Sequence, residues 1–331
     1  MEYRQVGSSG LEISAIGLGC TNFGTRATDE QAAEIIHAAI ERGITLVDTA
    51  NSYSAGKSEE AVGRALRGRR DQVILTSKFA QPMGEGPMNC GGSRHHIMRA
   101  VEDSLRRLQT DRIDLYQMHI PDPVVPIEET LRALDDLIRQ GKVRYIGSSC
   151  FEAWQLAEAE WTSRTSSLER FISTQCHYSL LTRDVEHHVL PVCEKYSIGV
   201  LPFFSLESGL LTGKYRADGE LPPDARAAKF PQFFFGVMNE ANFAKIEALH
   251  EFAAARGRTL TELSLASILA KPAVSAVVVG AMSPQQLDGS IAALDWKLTP
   301  EELAEIDEIA PSPVPDWLSF LHRTAAPVGR T

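Results

Sequence analysis

Positive charge, paired cysteines and long apolar runs are all scarce in this sequence. Lys and Arg number 33 against 43 Asp and Glu, a formal net charge of −10. That balance argues against a general nucleic-acid or anionic-membrane partner, because both are held by basic patches. The five cysteines (Cys20, Cys90, Cys150, Cys176, Cys193) are odd in number, widely spaced and without a CxxC pair. They read as reduced thiols that pack in a core, as in a cytosolic protein, and not as a disulfide frame or metal ligands. No basic-then-apolar leader opens the chain, and no apolar run has the length to span a bilayer. A soluble, cytoplasmic protein is therefore expected. Internal repeats, low-complexity tracts and linkers are absent too, so residues 1–331 are expected to form one domain.

What the chain has in quantity is alternation. Short apolar runs of strand length occur at Ala15–Leu18, Ile44–Val47, Val73–Thr76, Ile113–Met118, Val143–Ile146, Phe171–Thr174, Ile198–Leu201 and Ala276–Val279. Stretches of helical period lie between them, such as Asp29–Arg42, Ser93–Leu108 and Glu128–Arg139. Ahead of these, Gly7-Ser8-Ser9-Gly10 between Tyr3–Val6 and Leu11–Ile13 predicts an N-terminal β-hairpin. Such an order implies a parallel sheet covered by helices, either open and doubly wound or closed. The strands are uniform in length and apolar character, with no polar edge strand, which favours the closed (β/α)8 TIM barrel. A proline-rich extension ends the chain.

The residue after each strand carries the chemistry. Asp48 follows Ile44–Val47, Lys78 follows Val73–Ser77, and His119 follows Ile113–Met118. Ser148-Ser149-Cys150, Gln175 and Phe203-Phe204 close the next three strands, while Tyr53 lies in the loop after Asp48. That loop runs into Ser58-Glu59-Glu60, which reads as an N-cap and an acidic first helical turn. In a barrel these carboxyl ends meet on one face, where the active site is built. Singly, Asp48 reads as a loop cap, Tyr53 as packing, Lys78 as a surface charge and His119 as a core histidine. Together they suit proton transfer to a carbonyl oxygen. A free phenol, with a pKa of about 10, holds its proton too tightly for an ideal acid. An ammonium beside it lowers that value, and a carboxylate keeps the ammonium charged and oriented.

DTANSYSAGKSEEAVGRAL, the lysine of LTSK, DLYQMH and GLLTGKY resemble the aldo-keto reductase family, over essentially the whole chain. The resemblance implies the (β/α)8 barrel and NADPH-dependent reduction of an aldehyde or ketone, or the reverse alcohol oxidation, with Asp48, Tyr53, Lys78 and His119 as the tetrad. It also implies that Ser149 and Gln175 hold the nicotinamide carboxamide, although Cys150 stands where the companion asparagine is usual. Phe203 takes a position at which a tyrosine commonly stacks on the nicotinamide. The loop Phe204–Lys214, with Leu206, Ser208 and Lys214, is implied to wrap the pyrophosphate. Gly280, Ser283 and Gln286 fall at the second phosphate and adenosine region, where a helix N-terminus attracts an anion. NADP is the cofactor the resemblance implies, but no arginine stands near Met282 or Ser283 for its 2′-phosphate, so NAD is possible.

Substrate contacts are expected from Asn22 and Phe23, from Phe79–Gly92, from Tyr215–Asn239 with Phe230, Phe233, Phe234 and Phe235, and from Pro311–Thr331 with Trp317 and Phe320. An aromatic wall of this kind suits a bulky or apolar small-molecule carbonyl. Three other motifs fail on spacing. GLGCTNFG lacks the third glycine of a dinucleotide fingerprint, and GLLTGKY is too short for a P-loop and has Tyr215 where Ser or Thr is needed. His95-His96 and His187-His188 are neighbours that diverge on a helix, so solvated faces and no metal are expected. A rival reading is a nucleotide-sensing regulatory subunit, since potassium-channel β-subunits resemble the same family. A sugar-phosphate barrel enzyme without nicotinamide is the third.

Overall fold

The structure, a computed structural model of the chain, describes residues 1–215 and 236–313. Tyr3–Gln5 (β1) pairs antiparallel with Glu12–Ser14 (β2) as the expected hairpin. Gly7 in its turn has a φ of 56°, and a Cβ there would collide with the Ser197 carbonyl, so glycine alone fits. Eight strands follow: Ile16–Gly19 (β3), Leu46–Asp48 (β4), Ile74–Phe79 (β5), Ile113–Met118 (β6), Val143–Ser149 (β7), Phe171–Gln175 (β8), Gly199–Val200 (β9) and Val277–Gly280 (β10). All pair parallel, in the order β10-β3-β4-β5-β6-β7-β8-β9. The outer two meet as well. Val200 bridges Val274, and Val278 N donates to Pro202 O at 3.0 Å, which closes the sheet into the (β/α)8 barrel.

The helices between strands begin where short polar side chains cap them. Thr28 caps Asp29–Glu41 (α1) in a capping box with Gln31, and Ser93 accepts from His96 N ahead of Arg94–Leu108 (α3). Lys57–Ala65 (α2) departs from expectation. It starts after Gly56 in the left-handed region, without a side-chain cap. Ser58 is turned inward, its Oγ donating to Cys20 O at 2.8 Å, the second bond on a carbonyl that also accepts from Phe23 N at 3.0 Å. Glu59 is buried rather than solvated, with Arg107 of α3 at 2.6 Å and the Ser77 hydroxyl at 2.5 Å. Ile127–Arg139 (α4), Ala153–Ser166 (α5) and Val189–Tyr196 (α6) complete the run to β9. Glu240–Ala254 (α7), Leu260–Leu269 (α8), Pro284–Ile291 (α9) and Pro300–Ile309 (α10) follow.

Two apolar layers fix which face is open. Val6, Leu11 and Ile13 of the hairpin pack with Leu46, Leu115, Leu201 and Val278 inside the barrel, stopping its N-terminal end. The other layer lies between strands and helices and includes Ile36, Leu75, Phe79, Val101 and Leu134. Period two does the sorting along β5. Thr76 and Lys78 point inward to Asp48, while Leu75, Ser77 and Phe79 point to the helices. Among the described residues no helix is long and apolar enough to cross a membrane.

Candidate active site

At the carboxyl ends of β4 and β5, Lys78 Nζ lies 2.6 Å from Asp48 Oδ2, 2.9 Å from Thr49 O and 3.3 Å from Tyr53 OH. An ammonium has three donors and no acceptor, so all three are matched here. Lys78 and Asp48 are both buried. Because Lys78 donates to the Tyr53 oxygen, the phenol keeps its own proton for another acceptor. Tyr53 is half-buried and enters a tight loop in which Ser54, Ala55 and Gly56 all have positive φ, at 54°, 53° and 91°. The Ser54 hydroxyl ties that loop to Phe23 O at 3.0 Å. His119 completes the cluster, its ring edge-on to Tyr53 with centroids 5.6 Å apart and Nδ1 3.4 Å from Ser52 Oγ. The structure thus brings all four predicted side chains together.

Electrostatics sort their protonation. Burial opposes charge on Lys78, but Asp48 and the phenol hydrogen bond outweigh it and hold the ammonium above its ordinary range. For Tyr53 the expected downward pull of Lys78 is present, yet burial is the larger effect, and Asp48 adds to it, so the phenol sits above its ordinary value. Tyr53 is therefore a protonated donor at neutral pH. Burial, with Lys78 nearby, pushes His119 down to about 3, so its imidazole is neutral. This has a stability consequence. The folded value lies below the unfolded one, about 6.5, so in that interval the unfolded chain binds more protons and stability falls as pH falls. We expect wild type to lose up to about 1.4 kcal/mol per pH unit below 6.5 from this group, and His119→Gln to lose that slope in urea midpoints measured from pH 6.5 to 4.5. An unchanged slope would remove His119 as its source.

The residues expected at the dinucleotide lie around the same face. Ser149 ends β7 with its hydroxyl 3.6 Å from Cys150 Sγ, and Cys150 is exposed with a φ of 58°. Gln175 ends β8, but its Nε2 donates to Asp48 Oδ1 at 2.7 Å, so its amide is engaged by the four-residue cluster. Phe203 stacks against His177 with centroids 5.9 Å apart. In the loop after β9, Phe204, Glu207 and Ser208 all have positive φ, at 53°, 45° and 55°, and Leu206 O accepts from Gly209 N at 2.8 Å. Three non-glycine residues in that region are strain of the kind that accumulates at ligand clamps. Ser208 Oγ is buried and has no partner. Lys214 reaches back over this loop: a Cβ on Gly209 would stand 3.1 Å from its Nζ. Ser283 precedes α9 without a side-chain bond to its first turn, although its carbonyl accepts from Gln286 N at 3.2 Å, while Gln286 Oε1 accepts from Met282 N at 2.8 Å. Gly280 ends β10 beside Asn22. An orphaned hydroxyl, a strained clamp and an uncapped helix start fit an anionic dinucleotide.

The expected substrate contacts fare differently. Asn22 is buried next to Gly280, with its Oδ1 3.5 Å from Arg26 Nη1. Phe23 and Phe79 are not brought to the cluster. Both are fully buried in the layer between strands and helices, Phe79 because it has the opposite parity to Lys78 and packs at 5.0 Å on Tyr116. His96 is buried too, against expectation, with its Nδ1 3.3 Å from Met88 O, while His95 and His188 are exposed and His187 meets Ser312. Among the described residues no cluster of metal-binding side chains occurs. Phe230, Phe233, Phe234, Phe235, Trp317 and Phe320 lie outside the described residues. Sequence reasoning missed Thr76, which donates to Asp48 Oδ1 at 2.5 Å, and Gln117, 3.5 Å from the same oxygen. Their signal was there: each stands two residues before a site residue, Lys78 or His119, and so shares its inward face.

A closed parallel barrel with a proton donor and its charged partners at the carboxyl face is the frame of a carbonyl oxidoreductase. A family model described as Aldo/keto reductase family matches residues 15–311, and the chain belongs to that family. It is accordingly an NAD(P)-dependent oxidoreductase. An aldo-keto reductase of Bacillus subtilis (strain 168), YhdN, is 36% identical over 323 residues, covering 96% of each chain. Versiconal hemiacetal acetate reductase of Aspergillus parasiticus is 31% identical, covering 93% of this chain and 96% of its own. A probable voltage-gated potassium channel subunit beta of Oryza sativa subsp. japonica is 33% identical, covering 94% and 97%.

Proposed function

We propose that this chain reduces a small-molecule aldehyde or ketone, or oxidises the alcohol, with Tyr53 as the general acid and base. The observation that carries the reading is the Lys78 ammonium saturated by Asp48, Thr49 O and Tyr53 OH. Lys78 stabilises the phenolate left when Tyr53 gives up its proton, and Asp48 keeps Lys78 charged. Neutral His119 has an N–H to donate to the carbonyl oxygen, which orients it. Ser149, Gln175 and Phe203 would hold the nicotinamide, with Leu206, Ser208 and Lys214 on the pyrophosphate and Gly280, Ser283 and Gln286 toward the adenosine. A nicotinamide held there would be the source of hydride for the carbonyl carbon. NADP is the proposed preference, with the first turn of α9 offering its N–H groups to the 2′-phosphate; uncharged Met282 and Ser283 leave NAD usable. The cytoplasm is the proposed site of action, and one domain the proposed organisation.

Titration with NADPH and NADH by fluorescence quenching, followed by turnover on a panel of carbonyls, tests this. Binding of NADPH at least as tight as NADH, with turnover of aromatic or apolar carbonyls, is expected. Tighter NADH binding would overturn the NADP preference. The potassium-channel subunit among the relatives favours a second reading, a nucleotide sensor, which requires cofactor binding without turnover on any substrate.

A further inference from the structure

The second oxygen of Asp48 has a setting that the tetrad does not explain. Oδ2 faces Lys78, whereas Oδ1 receives Thr76 Oγ1 at 2.5 Å from β5, Gln175 Nε2 at 2.7 Å from β8 and Gln117 Nε2 at 3.5 Å from β6. All three donors are buried and neutral. A carboxylate only accepts, so each amide must present its nitrogen, and Gln117 Oε1 is left buried with no partner. An orphaned buried carbonyl is destabilising, so the arrangement favours Asp48 at the expense of local stability.

We propose that Thr76, Gln117 and Gln175 are positioning residues, a neutral cradle that fixes Asp48 and through it sets the Lys78 ammonium against the Tyr53 phenol. The inference rests on the assignment of Tyr53 as acid and goes one shell beyond it. Hydrogen-bond dipoles aimed at Oδ1 offset part of the carboxylate's negative field. Without them Tyr53 feels Asp48 more strongly and holds its proton more tightly. The titratable groups facing the phenol are few: Asp48 from β4, Lys78 from β5, the buried Cys20 thiol after β3 and His119 after β6. The thiol is held neutral by burial and the imidazole is neutral above pH about 3, so neither masks the effect at neutral to alkaline pH. Gln175 adds a link, since a residue expected at the nicotinamide is bonded to the acid's own partner.

The test compares Thr76→Val, Gln175→Met and the conservative Thr76→Ser with wild type. Tyr53 ionisation is read by ultraviolet tyrosinate titration, with Tyr53→Phe subtracted, beside the pH profile of kcat/KM. In Thr76→Val and Gln175→Met the Tyr53 ionisation and the alkaline limb are expected to move up by about half a pH unit or more, while Thr76→Ser stays at the wild-type value. Thr76→Val is the cleaner probe because it does not face the cofactor. Equal titrations in all four proteins, with only thermal stability reduced, would overturn the cradle. Absence of turnover in wild type would instead strike at the assignment of Tyr53 as acid, and the absorbance titration would still decide the cradle.

Discussion

Tyr53→Phe is expected to lower carbonyl turnover by about 10²–10⁴-fold, the usual worth of one general acid, with cofactor affinity changed less than about twofold. The substitution removes one oxygen and leaves the ring, so the edge contact to His119 and the packing in the loop remain. What disappears is the one O–H in the cluster with a proton to give. Lys78 cannot replace it. Two of its donors stay on Asp48 and Thr49 O, and the N–H that the substitution frees belongs to an ammonium whose proton Asp48 holds above the ordinary range. His119 cannot either, because an imidazole pushed down to about 3 is already neutral and a poor source of protons at pH 7. Stopped-flow or steady-state rates on any accepted carbonyl give the answer. Turnover within tenfold of wild type would take the acid role away from Tyr53.

Lys78→Met is expected to have the largest effect on stability. The Lys78–Asp48 pair at 2.6 Å has side chains only 1% and 3% exposed, so removing the cation leaves a buried carboxylate uncompensated. Breaking one side of such a pair costs about 3–5 kcal/mol. Thr76 and Gln175 still bond Oδ1, which places the expected loss toward the lower end of that range. The double variant Lys78→Met with Asp48→Asn should regain part of it, since no unpaired charge remains. Urea unfolding of the two single variants and the double one measures the coupling. A double variant no more stable than Lys78→Met would show that the buried charge is not the source of the loss. Turnover in Lys78→Met should also fall by on the order of 10² or more, because the phenolate left by proton transfer loses its counter-charge.

Individual residues show how far the sequence could be read. Asp48, Lys78 and His119 were legible because each stands at the end of an apolar run, and a parallel barrel gathers such ends. Tyr53 was legible through its motif. Phe79 misled because nearness to Lys78 in the chain suggested a shared pocket, whereas period two sends the two side chains to opposite sides of β5. Ser58 and Glu59 misled for a similar reason. An N-cap followed by acids is the ordinary pattern of a solvated helix start, but α2 begins under β3 and α3, where Cys20 O and Arg107 claim those side chains. The inward parity of Thr76 and Gln117 could be read from Lys78 and His119, but their meeting with Gln175 at one Asp48 oxygen depends on four strands converging, which strand spacing does not record.

Alternating apolar runs and polar strand ends, both local properties, determined the sheet type, the helix positions and, with the loop motif that holds Tyr53, the candidate site residues. Only the closed barrel decided which partners those side chains meet, because a hydrogen bond such as Gln175 to Asp48, 127 residues apart in the chain, is fixed by closure and not by neighbours in sequence. Closure also decided protonation. Burial is a property of the packed face: for the phenol it outweighs the downward pull of Lys78, and for the imidazole it adds to it.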